Sequence, residues 1–287
     1  MFDFTEKVPS FDDWEYKNYN YRVAIPSYKR AKILKNKTLN VLSNSNVLPD
    51  RIDIFVANED ERIIYEKELL PGTYGRIIVG VPGMRRIRNF IQDFYSEGDL
   101  IVNLDDDVEQ IEKFVNDKTI IEFNKLDEFF CYAFDVCKNI GVSYWGVYAV
   151  DNPYFMSNSI ACGLRYLLGG FWGTVTNHDK STYVTLDDKE DFERSVRAYL
   201  YDGSVARFDF ISYKTKCYTE DGGMQVERTE ERVEWSGKKM LELFPNQCEV
   251  NVARKKHFEI KLVEKRENYK NFSKHRISFE KNDFSLF

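Results

Sequence analysis

The chain has 287 residues, 43% hydrophobic, 31% charged and 15% aromatic, with a formal net charge of −6. That composition excludes a disordered chain, and no apolar run reaches the roughly 18 residues of a membrane-spanning helix. The acidic balance argues against a non-specific nucleic-acid binder, which needs a surplus of cations. Five cysteines (Cys131, Cys137, Cys162, Cys217, Cys248) form an odd set without a C-x-x-C pair, and His178, His257 and His275 are scattered. A disulfide scaffold, a zinc ribbon and a His-rich metal site therefore do not fit, whereas a reducing, cytoplasmic setting does. The opening MFDFTEKVPS has no basic or apolar signal region and does not read as a secretory leader.

In chain order, residues 21–25 form an apolar run closed by Pro26 and read as a first strand. Residues 29–43 carry Ile33, Leu34 and Val41 at helical spacing. A second strand is expected over 51–57, then a helix over 59–70 stopped by Pro71-Gly72. A third strand follows over 76–79, a helix over 84–95 opened by Pro82-Gly83, and a fourth strand over 99–104. This alternation predicts an α/β fold: a mostly parallel, Rossmann-like sheet with helices on both faces. Ligands in such sheets bind beyond the carboxyl ends of the strands, so the residues after the first, second and fourth strands are the first candidates for a site. The second half reads as a helix over 126–139, aromatic and glycine-rich strands over 142–150 and 167–175, a helix over 189–200, a strand over 209–218 and a polar, mobile loop over 221–236. Phe258, Ile260 and Leu262 suggest a closing strand or docking arm. No repeat and no linker divides the chain, which reads as one compact unit with a C-terminal appendage. Its parts run over about 20–110, about 111–245 and a basic stretch of about 246–287.

Asp105, Asp106 and Asp107 follow the fourth strand at once. Adjacent acids repel one another, and a divalent cation would relieve that repulsion. Strand alternation puts Asp105 and Asp107 on one side, where their hard oxygens suit Mg²⁺ or Mn²⁺. A surface turn is the plain alternative. Arg85 and Arg88 share a face at the start of the helix over 84–95, a place that attracts phosphate. After the first strand, Pro26 fixes a turn, Ser27 can hydrogen-bond a phosphate or carbonyl, and Tyr28 can stack on a base. Asn58 after the second strand can read a base or ribose edge, or simply cap a helix. Trp145, Tyr148, Phe171 and Trp172 could wall a sugar or base site, or build the core. Basic runs at 22–37 and 254–276 are either solvated faces or phosphate attractors.

A strand ending in P-S-Y-x-R, a helix carrying Arg88-Asn89 and a strand running into three aspartates resemble the glycosyltransferase A (GT-A) fold, and the inverting family 2 type in particular. The wider pattern, with Leu168-Gly169-Gly170-Phe171-Trp172-Gly173 and then Asp187-Asp188-Lys189-Glu190-Asp191, is similar to the glycosyltransferases associated with TET/JBP oxygenases of phages and base J organisms. The resemblance implies a metal-dependent enzyme that moves a sugar from a nucleotide sugar, UDP-linked by default, to a hydroxymethylated pyrimidine in DNA. It places the metal on Asp105 and Asp107, with Asp107 the more direct ligand and Asp106 beside them. The nucleotide would lie on Pro26, Ser27, Tyr28 and Arg30, and the diphosphate near Arg85 and Arg88. Asp191 would be the catalytic base, with Glu190 holding a hydroxyl. His257 is the one candidate for a late metal ligand, and no Q-x-x-R-W sequence of the processive synthases follows. A glycan, lipid or protein acceptor keeps the same chemistry. A metal-dependent nuclease and a non-catalytic nucleotide-binding module are the readings from other classes. Oligomeric state is not legible.

Overall fold

The computed structural model describes residues 8–215, 229–253, 258–264 and 276–278. The first half runs β1 (Tyr21–Pro26), α1 (Ala31–Asn36), α2 (Thr38–Asn44), β2 (Ile52–Val56), α3 (Glu59–Glu68), β3 (Arg76–Val79), α4 (Met84–Phe94) and β4 (Leu100–Leu104). It continues with the hairpin β5 (Val108–Asn116) and β6 (Thr119–Glu122), α5 (Leu126–Ile140), β7 (Tyr144–Val147), β8 (Ser159–Gly163) and β9 (Phe171–Val175). The remainder is α6 (Glu190–Asp202), β10 (Val205–Phe208), β11 (Ile211–Thr215), α7 (Glu230–Leu243), β12 (Cys248–Val250), β13 (Ile260–Leu262) and β14 (Arg276–Ser278).

A nine-stranded sheet has the order β14-β8-β10-β7-β9-β4-β1-β2-β3. The strands β4, β1, β2 and β3 are parallel neighbours, whereas β9 and β8 run against the rest. Alternate side chains enter two separate cores. Val23, Ile25, Ile54, Val102 and Leu104 share a core with residues of α1, α2, α3 and α5, whereas Ala24, Phe55 and Ile101 share one with Ile87 and Ile91 of α4. Burial of both faces explains why these strands are mostly apolar instead of alternating with polar residues; Arg22, Asp53 and Asn103 are the exceptions, and Arg22 pairs with Asp53. Helix α5 is buried nearly all round and packs Phe129 and Phe134 edge-on, and Phe130 tilted, against Trp145. A helix apolar on every side belongs inside a domain.

Several expectations change. The predicted helix over 29–43 is two short helices, broken at Lys37, whose backbone leaves the helical region (φ −115°, ψ −92°). Residues 230–236 belong to α7, which opens where the Thr229 side chain accepts from Arg232 N; residues 221–228 lie outside the described residues. The hairpin β5–β6 and the strands β8 and β10 were not expected. Strand β5 carries Glu109, Glu112 and Lys113, which mask its apolar positions, and it is completed by antiparallel pairing with the distant β11. The aromatic wall is core: Trp145, Phe171 and Trp172 are buried, and Tyr148 carries the Arg207 guanidinium over its ring. Much of the basic run 22–37 is paired: Arg22 bonds Asp53, Arg30 meets Asp106, Lys35 meets Glu68 and Lys37 meets Glu109. Of the second basic run, residues 254–257 and 265–275 lie outside the described residues, and Lys261 pairs with Glu249. No helix among the described residues is long and apolar enough to cross a membrane.

Candidate functional site

One cleft of about 1120 Å³ opens at the carboxyl ends of β1, β2 and β4, where Pro26–Arg30, Phe55–Ala57 and Asp105–Asp107 come together. All three aspartates line it, so the acidic turn faces a cavity and not open solvent. The turn is held from below by Thr38, the first residue of α2. Its hydroxyl donates to the Asp105 carbonyl (2.7 Å) and accepts from Val108 N (3.0 Å). The break at Lys37 is what lets a helix begin at that point. From across the sheet, Gly170 O accepts from Asp105 N (3.0 Å).

The three acids have different surroundings. Asp106 is buried and accepts from Ser27 Oγ (2.6 Å) and Arg30 Nη1 (3.3 Å). Ser27 also shares a hydrogen bond with the Tyr65 hydroxyl (2.7 Å), which in turn accepts from Arg30 N (3.0 Å). Burial pushes the Asp106 carboxyl up to about 7, against the pull of Ser27 and Arg30. Burial, and then the charge of Asp105, also raise Asp107, although Arg30 Nη1 approaches it to 3.6 Å. Asp105 is the most open, with its side chain 35% exposed, and Arg88 Nη2 donates to its Oδ1 at 2.9 Å.

Arg88 projects from α4 into the cleft and is buried. Its Nη2 also donates to Gly169 O (3.0 Å), and its Nε lies 3.4 Å from Glu190 Oε1. Burial alone would lower this guanidinium, but Glu190 and Asp105 hold it above its ordinary value. Glu190, the first residue of α6, also accepts from Arg194 Nη1 (2.5 Å). Arg194 lies over the Trp172 ring and donates to Leu167 O (3.0 Å). Asp105, Arg88, Glu190 and Arg194 thus form a buried chain of alternating charge from the acidic turn to α6. Asp191 comes next on α6: its Oδ2 accepts a short hydrogen bond from the Tyr166 hydroxyl and its Oδ1 accepts from Phe192 N (2.9 Å). Lys189 precedes them in the left-handed region (φ 65°), and its Nζ pairs with Glu259 at 2.6 Å, which ties α6 to the β12–β13 hairpin.

Glycine makes this convergence possible. A Cβ on Gly170 would lie 2.3 Å from the Tyr213 hydroxyl and 3.1 Å from Asp105 Oδ2; one on Gly169 would lie 3.1 Å from Glu190 Oε1. Side chains at either position would displace the charged groups.

The cleft therefore gathers Pro26, Ser27, Tyr28, Arg30, Arg88, Asp105, Asp106, Asp107, Glu190 and Asp191. Two candidates are placed elsewhere. Asn58 is the N-cap of α3, its side chain accepting from Glu61 N (3.0 Å). Arg85 is exposed and donates to Thr185 O (3.0 Å). The start of α4, expected to draw phosphate, already holds a carboxylate: Asp187 Oδ1 accepts from Arg85 N (3.0 Å). Asn89 grips Val184 through both its amide atoms (2.9 and 3.0 Å), so the Arg88-Asn89 step divides between cleft and loop. Tyr166, Tyr213, Arg194 and Thr38 went unnoticed in the sequence. The glycine pair was the one visible signal, since it marks where other groups crowd the backbone.

A divalent cation suits the acidic turn on one count. Two carboxyls raised by burial and mutual repulsion line a cavity, and hard oxygens are the donors such ions take. Among the described residues no group of three or more His, Cys, Asp or Glu is placed to hold a metal, so a cation here would complete its shell with water or substrate oxygens. His257 lies outside the described residues.

No protein-family model matches the chain, and no curated protein matches it in sequence. Among solved structures, residues 1–349 of S. aureus TarS in complex with UDP-GlcNAc match with a TM-score of 0.52 and 17% identity, covering 78% of this chain and 67% of that one. The same TarS fragment in a second crystal structure matches with a TM-score of 0.50 and 17% identity, over 78% and 66%. The chain thus spans about two thirds of the length of these TarS fragments. The chain has an α/β fold of the GT-A type, a mostly parallel central sheet flanked by helices.

Proposed function

We propose that this chain is a glycosyltransferase that moves a sugar from a nucleotide sugar, UDP-linked, to an acceptor hydroxyl with inversion at the anomeric carbon. The observation that carries the reading is the convergence of Asp105, Asp107, Arg88 and Asp191 on one cleft. Its volume, about 1120 Å³, exceeds the usual ligand-pocket range of roughly 300–1,000 Å³ and suits two substrates held together. The nucleotide would occupy the side formed by Pro26, Ser27, Tyr28 and Arg30, with its diphosphate toward the acidic turn. Mn²⁺ or Mg²⁺ on Asp105 and Asp107 would neutralise the charge that gathers on the departing diphosphate. Arg88 adds fixed positive charge at the same edge. Asp191 takes the acceptor's hydroxyl proton as that oxygen bonds to the anomeric carbon. The bond from that carbon to the phosphate oxygen breaks, and its electron pair leaves with the nucleoside diphosphate. Glu190, with Arg88 and Arg194 on its two oxygens, acts in this reading as their counter-ion and not as a holder of hydroxyls.

For the acceptor we propose a hydroxymethylated pyrimidine in DNA, which rests on the family resemblance of the sequence. A glycan, lipid or protein acceptor is the second reading, favoured by the acids that pair off Arg22, Lys35 and Lys37. The test incubates the protein with UDP-glucose, UDP-N-acetylglucosamine, UDP-galactose and UDP-xylose in Mn²⁺, with hydroxymethylated or plain DNA, and weighs the released nucleosides. A sugar-sized mass gain on hydroxymethylated DNA alone supports the full proposal. UDP release without a mass gain supports the second reading. Absence of both, or DNA cleavage without any nucleotide sugar, overturns the transferase.

A further inference from the structure

We infer that Tyr166 is a positioning residue for the reaction, its hydroxyl fixing the carboxylate of Asp191 toward the acceptor. The inference rests on the proposed role of Asp191 as base and adds to it a group outside the sequence motifs. Tyr166 lies in the segment between β8 and β9 and lines the cleft. Its hydroxyl donates to Asp191 Oδ2, and its ring packs on Phe192 with centroids 4.5 Å apart.

The segment that carries Tyr166 is clamped to the helix that carries Asp191. Leu167 N donates to Ser195 Oγ (2.9 Å), and Leu167 O accepts from Arg194 Nη2 (3.0 Å). Ser195 Oγ donates in turn to Asp191 O (2.6 Å). Leu167 is itself buried, so both its backbone hydrogen bonds are shielded from water. Tyrosine and aspartate are therefore held from both sides by the same turn of α6. A carboxylate at the mouth of a cleft would otherwise rotate about χ1 and χ2 and spend most of its time misaligned, which costs a general base its advantage.

With Tyr166 on Oδ2 and Phe192 N on Oδ1, each oxygen keeps capacity for one further hydrogen bond, and the carboxylate can receive the acceptor's proton without leaving its supports. The charged and titratable groups around it are Glu190 and Arg194 on α6, Lys189 before it, Tyr213 on β11 and Tyr166 itself. Burial and the charge of Asp191 push the Tyr166 phenol well above its ordinary value, so it stays a donor throughout the working pH range.

The test compares kcat and donor KM of wild type, Tyr166→Phe and Asp191→Asn by UDP release from the UDP-sugar the wild type turns over, in Mn²⁺. Phenylalanine keeps the ring contact with Phe192 and removes only the hydroxyl. For Tyr166→Phe the expected result is a fall in kcat of about 10–100-fold with the donor KM unchanged. Asp191→Asn is expected to be inactive. An inactive Asp191→Asn beside a Tyr166→Phe whose kcat is unmoved, or whose donor KM rises in step with the loss of kcat, overturns the tyrosine's role and spares the base. An Asp191→Asn as active as wild type overturns both.

Discussion

The two sides of the cleft are built by different means. On the donor side, β1, β2 and β4 run parallel and end at one edge, so the residues that follow each strand enter the site by continuing the chain. On the other side, β9 runs against β4, and the site is a strap: Gly169 and Gly170, the loop 184–188, and the first turn of α6. That strap is fastened by side chains far apart in sequence. Asn89 holds Val184, Glu193 accepts from Thr185 N and Leu186 N, and Arg194 holds Leu167. The difference teaches that the donor-side acids Asp106 and Asp107 are raised by burial and further by their acidic neighbours, whereas on the strap the burial of Glu190 is countered by Arg194 and Arg88. The same substitution chemistry should therefore have opposite consequences on the two sides.

The largest effect expected is on catalysis at the donor side. Asp107→Ala should lower the rate of UDP release in Mn²⁺ by about 10³-fold, the scale for removing a group that stabilises developing charge. Its melting temperature without metal should not fall, because a neighbouring like charge has been removed. A loss of stability that parallels the loss of rate would break the comparison.

On the strap the order reverses. Glu190→Gln leaves Arg194 buried without its counter-ion and Arg88 with Asp105 alone, and should cost about 3–5 kcal/mol in urea unfolding. An unchanged urea midpoint would mean that this carboxylate is not what holds the strap. Gly170→Ala sharpens the point about crowding. Its added methyl, 2.3 Å from the Tyr213 hydroxyl, should destabilise by about 1–3 kcal/mol in the same assay.

The smallest effect is a pH dependence on the donor side. Burial holds the Asp106 carboxyl up at about 7, above its unfolded value, so the folded state binds this proton more tightly. Its contribution to stability is full below about pH 4 and is lost as pH rises through about 7. The melting temperature of metal-free protein should therefore fall between about pH 5 and about pH 8 more steeply than that of Asp106→Asn. Parallel curves would place the burden on another group.

These contrasts also explain what the sequence discloses. Strands β1 to β4, the helices α3 and α4, and the acidic turn are legible, because apolar runs and their stop signals are local and the site lies where each run ends. The strap is not, because its residues acquire roles through contacts such as Asn89 with Val184 and Leu167 with Ser195, which no spacing encodes. Asn58 and Arg85 show the limit from the other direction. Residue type and position suited a ligand, yet Asn58 caps α3 and Arg85 is drawn onto the 184–187 loop. The aromatic strand residues were open to two readings, and burial decides for the core: Trp145 and Phe171 are 0% exposed and pack on α5.

The central claim, that the acidic turn receives the diphosphate of a nucleotide sugar across the cleft from Asp191, is tested most directly by a crystal structure of the protein with UDP and Mn²⁺. The account predicts a metal ion in contact with Asp105 or Asp107, with the diphosphate beside it and the nucleoside between Pro26 and Arg30. Nucleotide bound elsewhere, or metal density away from those two carboxylates, would contradict it.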